Sequence, residues 1–264
     1  MPNKSAPSDI PLIIDAHAHL GSFRNFHIPQ SDAAGLISGM DRYGIDMSVL
    51  ASHAAISSDF RRGNDESLAA ADAFPSRLFV HCCINPNYPS LADAELARCF
   101  QHPAVRGIKL HPELHGDYPL DGPGYRPVWE YADEHGLPVL SHSYFAGDSL
   151  AVFERMATNY PRATVILGHA GLNYGLEAVA NLVAEHDNVV VDLCGALTND
   201  GVVEVLVARM GASRLLFGTD MPFINAAPQL GTLLYARLDR TKLALIAGQN
   251  AARLFGLPTA GVVP

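Results

Sequence analysis

Leu12-Ile13-Ile14-Asp15-Ala16-His17-Ala18-His19 is a short apolar run that breaks into polar residues at its end. It lacks the apolar/polar alternation of a half-exposed strand, which is the pattern of a strand buried on both faces of a parallel sheet. Read as Leu12 to His17, it is the first of eight such runs. Met47 to Ser52, Leu78 to Ile84, Val105 to Leu110 and Pro138 to Ser141 follow, then Thr164 to Leu167, Asn188 to Leu193 and Arg214 to Gly218. Helical patterning fills the gaps, over Asp32 to Tyr43, Asn64 to Ala73, Ser90 to Phe100, Tyr125 to Glu134, Leu150 to Asn159 and Leu176 to Glu185. Tyr43-Gly44 and His135-Gly136 supply glycine stop signals, while Phe74-Pro75 and Tyr160-Pro161 supply proline ones. Alternating strands and helices without a composition break predict an α/β fold, a single (β/α)8 TIM barrel over residues 11–264. Residues 1–10 are expected to form a flexible N-terminal extension. No GxGxxG follows the first run, which argues against an open dinucleotide-binding sheet.

The bulk numbers agree. The chain has 264 residues, 48% hydrophobic and 17% charged, a balance suited to one large buried core rather than disorder. A formal net charge of -9 argues against a nucleic-acid partner, since binding a phosphate backbone needs clustered Lys and Arg. It leaves room for a small-molecule substrate, anionic ones included, because a metal ion outweighs distant surface charge. The four cysteines form no CxxC, and reduced thiols are expected. The polar start has no apolar core of a signal peptide, and no apolar run is long enough to span a membrane. A cytoplasmic protein without membrane association is expected.

Barrel enzymes place their chemistry at the C-terminal ends of the strands. The first run ends His17-Ala18-His19 and the fourth reads Lys109-Leu110-His111. The fifth ends Ser141-His142, the sixth Gly168-His169 and the eighth Thr219-Asp220. Strand side chains alternate faces, so His17 and His19 point the same way and can grip one ion. Imidazole nitrogens with a carboxylate oxygen suit zinc and similar divalent metals.

DAHAHLG at Asp15 to Gly21, GIKLHP at Gly107 to Pro112, LPVLSHS at Leu137 to Ser143, LGHAG at Leu167 to Gly171, FGTDMPF at Phe217 to Phe223 and QNAARLFGL at Gln249 to Leu257 together resemble the amidohydrolase superfamily. The closer resemblance is to its amidohydrolase-2 branch, which includes aminocarboxymuconate-semialdehyde decarboxylase. The resemblance implies a divalent metal, one Zn2+, held by His17, His19, His142 and Asp220. It makes Asp220 the base for a metal-activated water and places His169 near the metal, polarising the substrate or shuttling a proton. It also suggests a homodimer.

Lys109 and His111 share a face. They read as substrate-binding residues, with Lys109 alternatively a carbamylated bridge to a second metal or a salt-bridge partner of Asp220, and His111 alternatively a further ligand. His53, Glu113, His115 and Tyr144 follow strand ends and are candidates for the pocket mouth. His81 reads as a hydrogen-bonded barrel residue, Cys194 as packing, Asn250 as structural and Arg61-Arg62 as a solvated loop end. The expected activity is metal-dependent hydrolysis of a C–N or C–O bond in an amide, lactone or related small molecule. The alternative is a non-oxidative decarboxylase or hydratase on the same metal site, because the branch contains both. Some decarboxylases of the branch replace the first His with Glu, so the intact His17-x-His19 favours hydrolysis. A deoxyribonuclease fits less well, since Lys109 stands where a Glu is usual and the net charge is negative.

Overall fold

The computed structural model describes residues 10–143, 149–195 and 199–259, without the side chain of Leu172. Most of the expected N-terminal extension, and Tyr144, lie outside the described residues. The chain forms an eight-stranded sheet in which every neighbouring pair is parallel and strand order follows sequence order. The strands are β1 (Ile14–Leu20), β2 (Met47–Ser52), β3 (Leu78–Cys83), β4 (Val105–Leu110), β5 (Pro138–Ser141), β6 (Thr164–Leu167), β7 (Val189–Asp192) and β8 (Leu215–Leu216). Backbone hydrogen bonds join the first strand to the segment after the last and bring the sheet round into a barrel. They run from Ala16 N to Phe217 O (2.9 Å), His19 N to Met221 O (2.8 Å) and Asp220 N to His17 O (2.8 Å). The expected (β/α)8 TIM barrel is therefore the observed fold.

Helices follow the strands, and their ends obey the local rules. Asp32 caps the helix Ala33–Tyr43 by accepting from Gly35 N, and Gly44 ends it at φ 69°. Gly136 closes Arg126–His135 in the same left-handed way, at φ 64°. The helix predicted from Asn64 starts earlier, at Phe60, because Asp59 caps it by accepting from Arg62 N. Arg61 and Arg62 therefore sit in a first helical turn rather than a loop, with Arg62 paired to Glu66 at 2.9 Å. At the end of the chain, Ala251, Ala252 and Phe255 pack against Ile14, Met47, Val49 and Phe79. These residues form a buried cluster separate from the one between sheet and helices. The opposite end is left for polar side chains.

Candidate metal centre

His17 lies where the pairing of β1 with β2 changes register between Asp15 and Ala18, and His19 follows just beyond, paired with Ala51. Such irregularities re-aim side chains next to active sites. Asp15, buried beneath them, accepts from the backbone N of His17 and of Thr219, each at 3.0 Å, and also from the Thr219 hydroxyl. It thereby ties β1 to the turn carrying Asp220, whose φ is 64°. A non-glycine residue in this left-handed region is uncommon and tends to mark functional positions. Burial pushes the Asp15 carboxyl up to about 7.

The tautomers of the two histidines follow from their partners. His17 Nδ1 is 2.9 Å from Asp192 Oδ2, and His19 Nδ1 is 2.9 Å from the Ala51 carbonyl. Both partners only accept, so each ring carries its proton on Nδ1 and a lone pair on Nε2. His19 Nε2 lies 2.9 Å from Asp220 Oδ1 and His17 Nε2 lies 3.7 Å from it. Three acceptors facing one another need a cation between them. This donor set fits a divalent ion, with outer partners already fixing the ligand rings. Burial and the Lys109 charge hold His17 well below its usual pKa and so neutral. Burial alone would push the Asp220 carboxyl up, but the imidazoles around it, His19 first, hold it well below the usual carboxylate range.

Lys109 is fully buried at the end of β4, and its Nζ donates to His17 Nε2 at 2.7 Å. Its hydrogen bond therefore goes to a metal-facing nitrogen and not to Asp220, the salt-bridge partner considered from sequence. Burial lowers its pKa, with Asp192 and Asp220 opposing the shift.

His142 lies outside the His17–His19–Asp220 set. Its Nδ1 is 3.1 Å from His169 Nε2 and its Nε2 is 3.5 Å from Glu113 Oε2. His111 stacks on it at 4.0 Å, and His111, Glu113 and His142 form their own group of converging donor atoms. His169 occupies a left-handed turn, His169–Gly171 with φ 55–59°. Its Nδ1 bonds the Cys194 carbonyl at 3.0 Å.

Asp192, at the end of β7, was not among the residues singled out from sequence. Besides holding His17, its Oδ1 accepts from His169 N (2.9 Å) and Cys194 N (3.0 Å), so one carboxylate orients two histidines. The available signal was an acidic residue closing the run Val189-Val190-Val191, the position Asp220 holds on the eighth strand. His53 is buried beside His19, and burial pushes its pKa down to about 3. His115 is also buried, with Nδ1 2.7 Å from the Tyr125 hydroxyl. His81 bonds the Ala16 carbonyl at 3.1 Å, and Asn250 bonds the carbonyls of Ala212 and Leu215. Burial raises the Cys194 thiol pKa, which leaves it protonated and inert.

A parallel barrel with imidazoles and carboxylates gathered at one end defines an enzyme of the amidohydrolase superfamily. The chain belongs to the Amidohydrolase family, which matches residues 14–257. It is 25% identical to gamma-resorcylate decarboxylase of Rhizobium radiobacter over 251 residues, 75% of this chain and 76% of that protein. Among solved structures, 5-carboxyvanillate decarboxylase from Sphingomonas paucimobilis superposes with a TM-score of 0.75 at 18% identity, covering 94% of this chain and all of that one. The 5-carboxyvanillate decarboxylase of Novosphingobium aromaticivorans, complexed with manganese and 4-hydroxy-3-methoxy-5-nitrobenzoic acid, gives 0.74 at 16% identity, over 96% of this chain and 98% of that one.

These relatives overturn the expectation of hydrolysis at a C–N or C–O bond, because they are decarboxylases. The physical reason is that His17-x-His19 and Asp220 describe how an ion is gripped, and the same grip serves a lyase. Zinc is not singled out either, since the Novosphingobium enzyme holds manganese.

Proposed function

We propose that this protein is a metal-dependent, non-oxidative decarboxylase of a small hydroxylated aromatic acid. The observation that carries the reading is the inward-facing set His17 Nε2, His19 Nε2 and Asp220 Oδ1, in a chain similar to gamma-resorcylate decarboxylase over three-quarters of its length. Those three residues would hold the divalent ion. Two imidazoles and a carboxylate suit manganese as well as zinc. When bound, the ion supplies positive charge that draws a substrate oxygen and spreads the charge developing on it.

The residues around it supply the rest. Asp192 and Ala51 lock the histidine tautomers. Lys109 brings a cation to the base of the site, where a substrate carboxylate needs one. The reaction consumes one proton at the ring carbon, breaks the bond from that carbon to the carboxylate and releases CO2. The linked rings of His142 and His169, 3.1 Å apart, form a path for that proton, with His169 anchored by the Cys194 carbonyl. His111 packs against the same path.

The test incubates protein reconstituted with Mn2+ or Zn2+ with 2,6-dihydroxybenzoate, 5-carboxyvanillate and salicylate. Stoichiometric CO2 with the matching phenol is the expected result. Turnover unchanged after complete metal removal, or no CO2 from any hydroxybenzoate, refutes the reading.

A further inference from the structure

A cavity of about 370 Å³ opens between the helix Arg126–His135, the helix Leu150–Asn159 and the turn at Asp121. None of its lining residues belongs to the metal-binding set. Trp129 and Met156 are buried and close its floor. Tyr160 stacks on Trp129, with centroids 5.8 Å apart and planes 19° apart. Trp129 Nε1 donates to the Leu120 carbonyl at 2.9 Å, which fixes the indole in place.

Two guanidinium groups line the same cavity. Arg155 donates from Nε and Nη2 to Asp121 Oδ2, at 3.2 and 2.5 Å. Arg126 donates from Nε to Glu130 Oε1 at 2.7 Å. Among the described residues, Nη1 of Arg155 and both terminal nitrogens of Arg126 have no partner. The arginine side chains are 51% and 71% exposed, so neither ion pair holds its guanidinium firmly. Asp121 is the one acidic residue among the described lining residues. The cavity thus carries a surplus of positive charge in a chain whose formal net charge is -9. A guanidinium with spare N–H donors matches a carboxylate, and ring surface beside it suits an aromatic body. The volume falls in the range of small-molecule sites.

We propose that this cavity is a second ligand site, for a small aromatic carboxylate held by Arg126 and Arg155 with its ring against Tyr160 and Met156. The site needs no metal ion, and it goes beyond the decarboxylase reading without depending on it. Asp121 acts in it as an internal competitor, because its carboxylate occupies two of the Arg155 donors that a ligand would use.

Trp129 is the only tryptophan of the chain, so its emission reports on this cavity directly. The manganese-loaded protein is titrated with benzoate, and with benzyl alcohol and acetate as its uncharged and ringless counterparts. A saturable change with benzoate is expected, at about tenfold or more higher affinity than either counterpart, the worth of a hydrogen bond to a charged group. Arg126→Gln and Arg155→Gln are each expected to weaken benzoate binding about tenfold, with the melting temperature unchanged. Asp121→Asn is expected to act the other way and tighten binding, because it releases Arg155. Weaker binding in both Asp121→Asn and Arg155→Gln means that the ion pair only shapes the turn, and overturns the proposal. Benzyl alcohol or acetate matching benzoate, or no saturable change at all, overturns it too. Removing the metal is expected to leave the benzoate affinity within twofold, whereas loss of the signal assigns it to the metal centre and sinks the second site. A protein that passes these titrations but releases no CO2 from hydroxybenzoates refutes decarboxylation while upholding the site.

Discussion

Replacing Asp192 with Asn removes one negative charge while keeping the shape of the side chain. In the native site Oδ1 accepts from two backbone N–H groups, His169 at 2.9 Å and Cys194 at 3.0 Å, and Oδ2 faces His17 Nδ1 at 2.9 Å. Asn has one carbonyl oxygen, and the two backbone donors claim it. Its NH2 then points at His17 Nδ1–H, and two donors cannot face each other. The ring resolves the clash by moving its proton to Nε2, which fills the lone pair meant for the metal. Loss of such an outer partner costs roughly 10–100-fold in metal affinity, or about 1.4–2.7 kcal/mol. Fold stability is expected to change less, because the Asn carbonyl keeps both backbone bonds and the charge it replaces is one that burial disfavours. Manganese affinity is measured by competition with a chromophoric chelator, and the melting temperature on metal-free protein. The expected pattern is weakened metal binding with the metal-free Tm within a few degrees. Affinity within twofold of wild type refutes the orienting role, and a Tm collapse would show that Asp192 chiefly holds the β6 and β7 turns together.

Asp220→Asn is expected to lower CO2 release by at least about 100-fold, while His17 and His19 retain much of the metal; undiminished turnover in the variant counts against Asp220. Acid stability is governed in part by His81, which burial holds at about 3 against 6.5 in an unfolded chain. The unfolded chain binds this proton first as pH falls. The stability is therefore complete above about pH 6.5 and drains away towards pH 3, by up to roughly 4–5 kcal/mol. Denaturant titrations of His81→Leu across that window should show a flatter slope, and an unchanged slope contradicts the assignment. Gly107→Ala would place a methyl 3.0 Å from both His81 Nδ1 and the Pro138 carbonyl. A loss of about 1–3 kcal/mol in denaturant unfolding is expected from this overpacking, and no loss means that β4 and β5 separate more easily than their packing implies.

Much of the barrel could be read directly. β2, β4, β5 and β6 begin and end where the apolar runs do, because strands covered on both faces need continuous Val, Ile and Leu. β8 is shorter than its run, only Leu215–Leu216, since the chain then passes close against β1: a Cβ on Gly218 would lie 3.0 Å from His17 Cβ. The helices Val202–Met210 and Ala226–Leu234 were not anticipated. Val202, Val203, Val205 and Val207 are stiff side chains with weak helix preference, and Pro228 interrupts the pattern of the second. At the site, the spacing of His17 and His19 reported their shared direction correctly. Asp192 escaped notice because its role arises from the turn that points the N–H groups of His169 and Cys194 back at it. His142, at the end of the fifth strand, comes to the same end of the barrel, its ring centroid 4.8 Å from that of His169.

The reaction class was harder to read than the metal grip, for a reason visible in where the residues lie. Hydrolysis and decarboxylation both need an ion, fixed imidazoles and an ionised carboxylate, and those fall on the strand ends that β/α geometry makes conspicuous. They differ in what surrounds the ion. A hydrolase must place a water against a polarised carbonyl, whereas a decarboxylase must deliver a proton to carbon and stabilise charge moving into a ring. On the proposed decarboxylation the second task needs flat apolar surface, which Phe23, after β1, and Phe223, in the turn after Asp220, would provide beside the ring of His53. Loops of this kind carry specificity on a rigid scaffold. Exchanging Phe23 and Phe223 for polar residues should therefore erode binding of an aromatic acid while metal content stays constant, separating the part of the site that holds the ion from the part that selects the bond.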